Sequence, residues 1–116
     1  MKRLLPGPYT FILEGSKLVP KIMLTKRKTA GIRVPDNEIC KAIVKELGNP
    51  VISTSAKIHK GDHFTDPSFI YDEFKTQIDI VIDGGPTPCE PSSIVSMIDD
   101  EPEVIREGLG DISRIL

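Results

Sequence analysis

The sequence predicts an α/β domain with a mixed sheet, and three observations lead to this prediction. Short runs rich in β-branched and aromatic residues recur along the chain, separated by clusters of Gly, Pro and Asp. A helical stretch with clear start and stop signals lies between two of these runs. Hydrophobic residues make up 39% of the 116 residues and charged residues 28%, which is typical of a single packed domain.

The first two strands are predicted at residues 9–13 and 29–34. Residues 9–13 read YTFIL, an aromatic and apolar run that follows a Pro- and Gly-rich entry. In the second run Ala30, Ile32 and Val34 alternate with glycine and arginine. Because successive strand residues point to opposite faces, we expect Arg33 on the face opposite Ile32.

A helix is predicted to start near Asp36, which can cap the free amides, and to end before Gly48 and Pro50. Its apolar residues recur at helical spacing, and Cys40 beside them is predicted to be a small core residue; the apolar positions are Ile39, Ala42, Ile43 and Leu47. Residues 51–55 then read as a strand. Residues 29–55 are therefore expected to form a strand, helix, strand unit with parallel pairing.

The second half of the chain predicts one more helix and three more strands. Asp66 and Pro67 mark a helix start, and the helix is expected to reach about Thr76. Isoleucines alternate through residues 78–82, a strand closed by the glycine turn at 84–86. Residues 92–98 and 103–106 are expected to pair as a hairpin. A short helix near residues 18–24 would have to begin at Pro20.

Composition, hydropathy and cysteine content exclude several classes of protein. No apolar run approaches the roughly 20 residues that span a bilayer, and residues 1–13 lack the pattern of a signal peptide, so we expect a cytoplasmic protein. Cys40 and Cys89 are then expected to be free thiols.

The charges are unevenly distributed along the sequence. Residues 1–60 carry 12 Lys and Arg against 4 Asp and Glu, while residues 61–116 carry 3 Lys and Arg against 13 Asp and Glu. This asymmetry indicates either a surface for phosphate or nucleic acid or two separately solvated faces.

Hydroxyl groups and arginines are the candidate binding groups. Ser53, Thr54 and Ser55 follow the predicted strand exit, where open α/β sheets bind ligands, and their hydroxyls suit phosphate or carboxylate oxygens. They could equally satisfy backbone groups at the strand end. Arg33 and Arg106 each lie on an otherwise apolar strand, as an anion clamp would, although either could be a surface ion-pair partner.

Other patterns give weak signals. The glycine pair at 84–85 lacks the spacing of a phosphate-binding loop. His59 and His63 are four residues apart, but no further ligand stands at a recognised spacing, so no metal site is predicted. No arrangement typical of a catalytic nucleophile is present. The basic stretch of Lys26, Arg27 and Lys28 is either a solvated loop or a contact for RNA phosphates.

Six blocks in order resemble the YrdC/YciO family over essentially the whole chain. The blocks are PGPYTFIL at 6–13, KRKTAGIRVPDN at 26–37, NPVISTSA at 49–56, IDIVIDGG at 78–85, PSSIV at 91–95 and VIREG at 104–108. The resemblance implies a twisted, open mixed sheet with flanking helices and a basic concave surface suited to double-stranded RNA. It also implies relation to enzymes that condense threonine, bicarbonate and ATP into threonylcarbamoyl-adenylate for tRNA modification.

The resemblance also implies roles for individual residues. Thr29, Ser53, Ser55 and Arg106 match positions that contact the nucleotide, whereas Arg33 and Ser92 match positions that contact threonine. ATP, accompanied by magnesium, is then a substrate, and no tightly bound cofactor is expected. Such a site works by positioning its substrates and neutralising charge, without a covalent enzyme intermediate.

Two departures from the family pattern bear on activity. Lys57 stands where the synthases have asparagine, which places the chain nearer the YciO branch. Residues 1–28 contain no match to the family's lysine, x, arginine nucleotide motif. Residues 1–116 are therefore expected to be the C-terminal portion of a YrdC-like domain and to be poorly active alone. We expect uncovered sheet surface to favour association with another chain, a second copy included.

The alternative function is a non-catalytic module that binds double-stranded RNA or tRNA, and it yields a direct test. Because Lys26, Arg27 and Lys28 would neutralise phosphates, their joint replacement by glutamine is expected to weaken RNA binding and to reduce its dependence on salt. Fluorescence anisotropy of labelled RNA at two salt concentrations measures both effects. An absent or salt-insensitive signal would remove the RNA reading.

Overall fold

A computed structural model describes residues 1–16, 19, 24, 26, 28–56, 65–88 and 90–115. Among these residues no helix is long and apolar enough to cross a membrane. The chain divides into two compact units: Met1–Pro50 with Glu90–Leu116, and Val51–Cys89. The predicted short helix near residues 18–24 lies largely outside the described residues.

The first unit is built on a four-stranded mixed sheet, which confirms the predicted fold class. Its strands are β1 (Tyr9–Glu14), β2 (Thr29–Arg33), β3 (Ser93–Ser96) and β4 (Glu103–Arg106), and their order across the sheet is β2-β1-β3-β4. The β1–β3 pair is parallel, and the two outer pairs are antiparallel. The parallel pair therefore joins the two ends of the chain, and not residues 29–34 with 51–55 as the sequence predicted.

One face of this sheet carries the core. Tyr9 and Phe11 of β1 and Val95 of β3 are buried, with the two aromatic rings stacked at a centroid distance of 6.2 Å. Their partners are partly buried apolar residues from both ends of the chain and the end of β3, namely Leu4, Leu5, Met97 and Ile115. The period-2 pattern of β1 thus sends alternate residues into the core.

The segment after β4 is held to the core face by hydroxyl groups. Ser93, fully buried, donates to the carbonyl of Gly110 (2.6 Å) and accepts from the amide of Gly108 (2.9 Å). The Tyr9 hydroxyl donates to the carbonyl of Asp111 at 3.1 Å. The Asp111 carboxylate then caps a short 3₁₀ helix at Ile112–Arg114 by accepting from the hydroxyl and amide of Ser113, and these hydrogen bonds lower the pKa of Asp111.

Helix α1 (Glu38–Leu47) has the predicted length but a different cap and environment. Asn37, and not Asp36, accepts from the amide of Cys40, while Asp36 forms an ion pair with Lys41 at 3.2 Å. The prediction that Cys40 is a core residue is wrong: it is an exposed free thiol, and α1 has no buried residue. Its apolar residues recur at helical spacing as predicted, but their side chains are exposed, Ile39 by 37% and Leu47 by 53%.

The second unit contains helix α2 (Pro67–Phe74). Asp66 caps it as predicted, accepting from the amide and hydroxyl of Ser68, and the hydroxyl bond lowers the pKa of Asp66. The predicted strands at 51–55 and 78–82 are wrong, because neither segment belongs to a sheet. Strand-favouring residues form a strand only where a neighbouring strand takes their backbone hydrogen bonds, and no described strand lies beside these segments.

Close packing around Gly108 gives a stability prediction. A methyl group at this position would collide with the carbonyl oxygen of Pro91 and approach the carbonyl carbon of Ser92 to 2.8 Å. Gly108→Ala is expected to lower the free energy of unfolding by about 1–3 kcal/mol, because the backbone must move to admit it. Gly31→Ala is the matched control, since its methyl group would meet only the γ-methyl of Thr10 at 3.3 Å. Urea denaturation measures both, and equal losses would contradict the explanation.

Candidate functional site

The sheet face opposite the core carries a row of polar side chains that crosses all four strands. The strand register places Arg33 of β2 beside Thr10 of β1, and Arg106 of β4 beside Ile94 of β3. Ser92, just before β3, lies next to Thr10 on the same face. We call Arg33, Thr10, Ser92 and Arg106 the polar row. An arginine stands at each end of it, with two hydroxyl groups between.

Hydrogen bonds fix three members of the polar row. The hydroxyl oxygens of Thr10 and Ser92 are 2.8 Å apart. The Arg106 guanidinium donates through Nε (3.0 Å) and Nη2 (2.7 Å) to the carbonyl of Ser92, and Nη2 lies 3.4 Å from the Ser92 hydroxyl. Two bonds from one planar group to one carbonyl restrict the orientation of Arg106, so this cation is positioned in advance of any ligand.

Arg33, at the other end of the polar row, is exposed, and its guanidinium forms no hydrogen bond or ion pair with any described residue. The register confirms the predicted alternation, because Ile32 pairs with the core residue Phe11 whereas Arg33 pairs with Thr10. A guanidinium with no partner among the described residues can offer its donors to an anion.

A depression of about 590 Å³ lies on the same sheet face, toward the other end of β1. Thr29 and Glu14, opposite each other in the register, lie in its wall. The remaining lining residues are Ile12, Gly15, Lys28, Ser96, Ile98, Asp99, Glu103 and Ile105. Thr29 is four residues from Arg33 along β2, so about 13 Å separates these two residues at about 3.3 Å per strand residue.

The charges of the depression differ from those of the polar row. Glu14, Asp99 and Glu103 contribute three carboxylates, against one lysine, Lys28, whose backbone is left-handed with φ of 59°. This lining disfavours a bare phosphate and suits a cationic or hydroxyl-bearing group. The polar row, with its two guanidinium groups, is the end of this face that suits an anion.

The structure brings four predicted site residues to one face. Thr29, Arg33, Ser92 and Arg106 all lie on it, although Thr29 and Ser92 are only 6% and 7% exposed. Ser53 and Ser55 belong to the second unit and are exposed. Lys26 and Lys28 are exposed too. Arg27, Lys57, His59 and His63 lie outside the described residues. The roles assigned to all these residues stay predictions.

Sequence reasoning missed Thr10, which belongs to the polar row. The signal was present in the block PGPYTFIL, because strand alternation with the apolar residues Tyr9 and Phe11 sends Thr10 to the opposite face. The block alone does not show that Thr10 contacts Ser92, because the two residues are 82 positions apart in the sequence. Only the parallel β1–β3 register brings them together.

Comparison with known proteins identifies a family and several relatives of this chain. The family model for Sua5, YciO and YrdC proteins, described as telomere recombination, matches residues 1–108. The chain is 45% identical over 119 residues to the YciO protein of Escherichia coli strain K12, covering all of this chain and 57% of that protein. The crystal structure of E. coli YciO matches the whole chain with a TM-score of 0.93.

A second relative is named as an enzyme. The threonylcarbamoyl-AMP synthase of Pyrococcus abyssi is 28% identical over 119 residues, which is 99% of this chain and 35% of that protein. The crystal structure of P. abyssi Sua5 in complex with L-threonine matches 98% of this chain and 34% of the Sua5 chain, with a TM-score of 0.89. The chain thus spans between about a third and 57% of the length of these relatives. On the extent of the family match and the identity to YciO, the chain belongs to the Sua5/YciO/YrdC family.

Proposed function

We propose that the polar row binds the carboxylate of L-threonine, and that the sheet face carrying it forms part of a threonylcarbamoyl-AMP synthase site for threonine and ATP. The observation that carries the proposal is the polar row itself: two arginines on the outer strands, with two hydroxyls between them, on the same face as Thr29. The L-threonine complex of P. abyssi Sua5, which shares this fold, supports the choice of ligand.

Arg33 supplies the principal charge to the carboxylate. Its guanidinium has no partner among the described residues, and it stands on a strand, so a carboxylate can accept two parallel hydrogen bonds from it. Arg106 supplies charge from the far end, with Nε and Nη2 held by Ser92 and Nη1 directed to no described acceptor. Together these cations neutralise an anion without reorganising the sheet.

Ser92 supplies a directed hydroxyl donor. A hydroxyl can accept two hydrogen bonds and donate one. Arg106 Nη2 lies at 3.4 Å and Thr10 Oγ1 at 2.8 Å from Ser92 Oγ, so with Thr10 as donor both acceptor positions are occupied. The Ser92 proton is then left for the ligand. Thr10 is a positioning residue in this scheme, because it acts through Ser92.

The nucleotide occupies the rest of the same face. Thr29 contributes at the depression, about 13 Å from Arg33 along β2 by strand geometry, and the carboxylates there keep the phosphates on the side of the arginines. The nucleotide roles that the family resemblance implies for Ser53 and Ser55, in the second unit, stay predictions. Catalysis then consists of holding threonine, bicarbonate and ATP in reacting positions and neutralising the charge that develops.

Threonine binding tests the proposal at Arg33. Arg33→Ala is expected to weaken L-threonine binding at least about tenfold, because it removes a charge-assisted bidentate contact. Isothermal titration of the chain with L-threonine, with and without ATP, measures the change. Arg114→Ala is the matched control, since Arg114 is also an exposed arginine but lies in the 3₁₀ helix, outside the polar row. The proposal fails if the wild-type chain binds no threonine or if both variants behave alike.

A second variant tests the role of Thr10. Thr10→Val keeps the size of the side chain but removes the hydroxyl that is hydrogen-bonded to Ser92, and it is expected to weaken threonine binding about five- to tenfold, the worth of one hydrogen bond. Thr10→Ser, which retains the hydroxyl, is expected to bind nearly as the wild type does. ATP affinity should be the same in both variants. Equal weakening by valine and serine would show that packing, and not the hydroxyl, matters here.

A further inference from the structure

We propose that Ser93 is a positioning residue for the polar row, and that its buried hydroxyl controls the orientation of the Arg106 guanidinium. Ser93 is fully buried on the core face of β3, beside Tyr9 in the register, so it cannot touch a ligand at the polar row. It acts through the backbone of its neighbour, Ser92. Its effect on threonine binding rests on the proposed function, whereas its effect on Arg106 follows from the hydrogen bonds of the segment after β4.

The carbonyl of Ser92 faces β4. The next amide, that of Ser93, donates to the carbonyl of Pro8 on the β1 side at 3.0 Å. Neighbouring residues of a strand direct their backbone groups to opposite sides, so the Ser92 carbonyl points toward β4. Extended by two residues, the register that pairs Arg106 with β3 places Gly108 opposite Ser92. In a regular antiparallel ladder the Gly108 amide would donate to this carbonyl.

The Gly108 amide donates instead to the hydroxyl of Ser93 at 2.9 Å, and that hydroxyl donates onward to the carbonyl of Gly110 at 2.6 Å. The Ser92 carbonyl accepts from Arg106, through Nε at 3.0 Å and Nη2 at 2.7 Å. A carbonyl oxygen has two lone pairs, so the amide could bond to it only by displacing one of these donors. The Ser93 hydroxyl therefore keeps the Gly108 amide away from the acceptor that orients Arg106.

A β-bulge in β4 creates this arrangement. The pairing of β3 with β4 shifts by one residue before Arg106, so Ile105 is an extra residue in β4. If regular pairing continued, Arg106 would lie on the core face and Glu107 would lie opposite Ser92. The bulge brings Arg106 to the face of the polar row. It also brings Gly108 opposite Ser92, at a position where any side chain would collide with the backbone.

The first test observes the Arg106 guanidinium without a ligand. A hydrogen-bonded Nε proton is protected from exchange with water, and its signal in a ¹⁵N NMR spectrum is identified by its loss in Arg106→Ala. We expect this proton to exchange at least about fivefold faster in Ser93→Ala, because the Gly108 amide then competes for the Ser92 carbonyl. Ser93→Cys is expected to act in the same direction, since its thiol fills the space but forms only weak hydrogen bonds.

Tyr9→Phe is the matched control for these variants. It removes another hydrogen bond to the same segment, from the Tyr9 hydroxyl to the carbonyl of Asp111, but it leaves the Gly108 amide on Ser93. The Arg106 Nε proton should therefore exchange in Tyr9→Phe as it does in the wild type. If Ser93→Ala does not fold, Ser93→Cys decides the outcome.

The second test asks whether Ser93 acts on threonine through Arg106. Isothermal titration with L-threonine compares Ser93→Cys with the wild type, and the same pair again with Arg106→Ala in both. We expect Ser93→Cys to weaken binding about fivefold when Arg106 is present and less than about twofold when it is alanine. A general structural effect would be the same in both backgrounds.

Several results would overturn the proposal. These are an unprotected Arg106 Nε proton in the wild type, unchanged exchange in the folded Ser93 variants, equal acceleration in Tyr9→Phe, and equal weakening of threonine binding in the two backgrounds. If the wild-type chain binds no threonine, the proposed function fails, and the Nε measurements still decide whether Ser93 positions Arg106.

Discussion

The parallel pairing of β1 with β3 is the interaction on which the rest of the first unit depends. Its register places Tyr9 beside Ser93 and Phe11 beside Val95, so the core and the anchor of the C-terminal segment arise on one face together. The same register places Thr10 near Ser92 on the other face. Because side chains alternate strictly along a strand, a shift of one residue would exchange the two faces and destroy both.

Two adjacent serines show how one strand serves both faces. The Ser93 side chain lies on the core face and hydrogen-bonds Gly108 and Gly110 of the segment after β4. The Ser92 side chain lies in the polar row, and its carbonyl accepts hydrogen bonds from Arg106. The geometry of the polar row is thereby coupled to packing, since Gly108 also packs against the backbone of Ser92. A larger residue at Gly108 would press on the Ser92 backbone that orients Arg106, whereas a larger residue at Gly110 would collide with the ring of Tyr9.

Local signals in the sequence were sufficient for the four strands and for both α-helices, although not for the 3₁₀ helix at Ile112–Arg114. The alternation in residues 9–13 and 29–34, the hairpin at 92–106 and the caps of both helices have local causes, and all were predicted apart from the choice of Asn37 over Asp36. Asp36 and Asn37 are both good caps, and the choice between them depends on an ion pair with Lys41 that sequence does not reveal. Thr29, Arg33, Ser92 and Arg106 could be selected from the sequence, but their arrangement as a row with Thr10 could not.

The predictions that failed required partners that the described chain does not provide. Residues 51–55 and 78–82 have the composition of strands, and Cys40 lies on an apolar helix face, but a strand needs a neighbour and a core needs a second layer. Pattern reasoning assumes that every apolar face has a counterpart within the same chain. That assumption held for the sheet, whose core residues come from both ends of the chain, and it failed for α1.

The long separation between Thr10 and Ser92 also has a kinetic consequence. Thr10 and Ser92 are 82 positions apart, so the chain between them must close as one loop before β1 and β3 can pair. Loop closure is the entropic obstacle to folding in topologies dominated by distant contacts. A longer connecting loop would cost little more free energy to close, because the entropy of loop closure grows only with the logarithm of loop length. The loops of the connecting region, outside β2 and the helices, can therefore accept insertions with small effects on stability. The core and the polar row form in the same cooperative event.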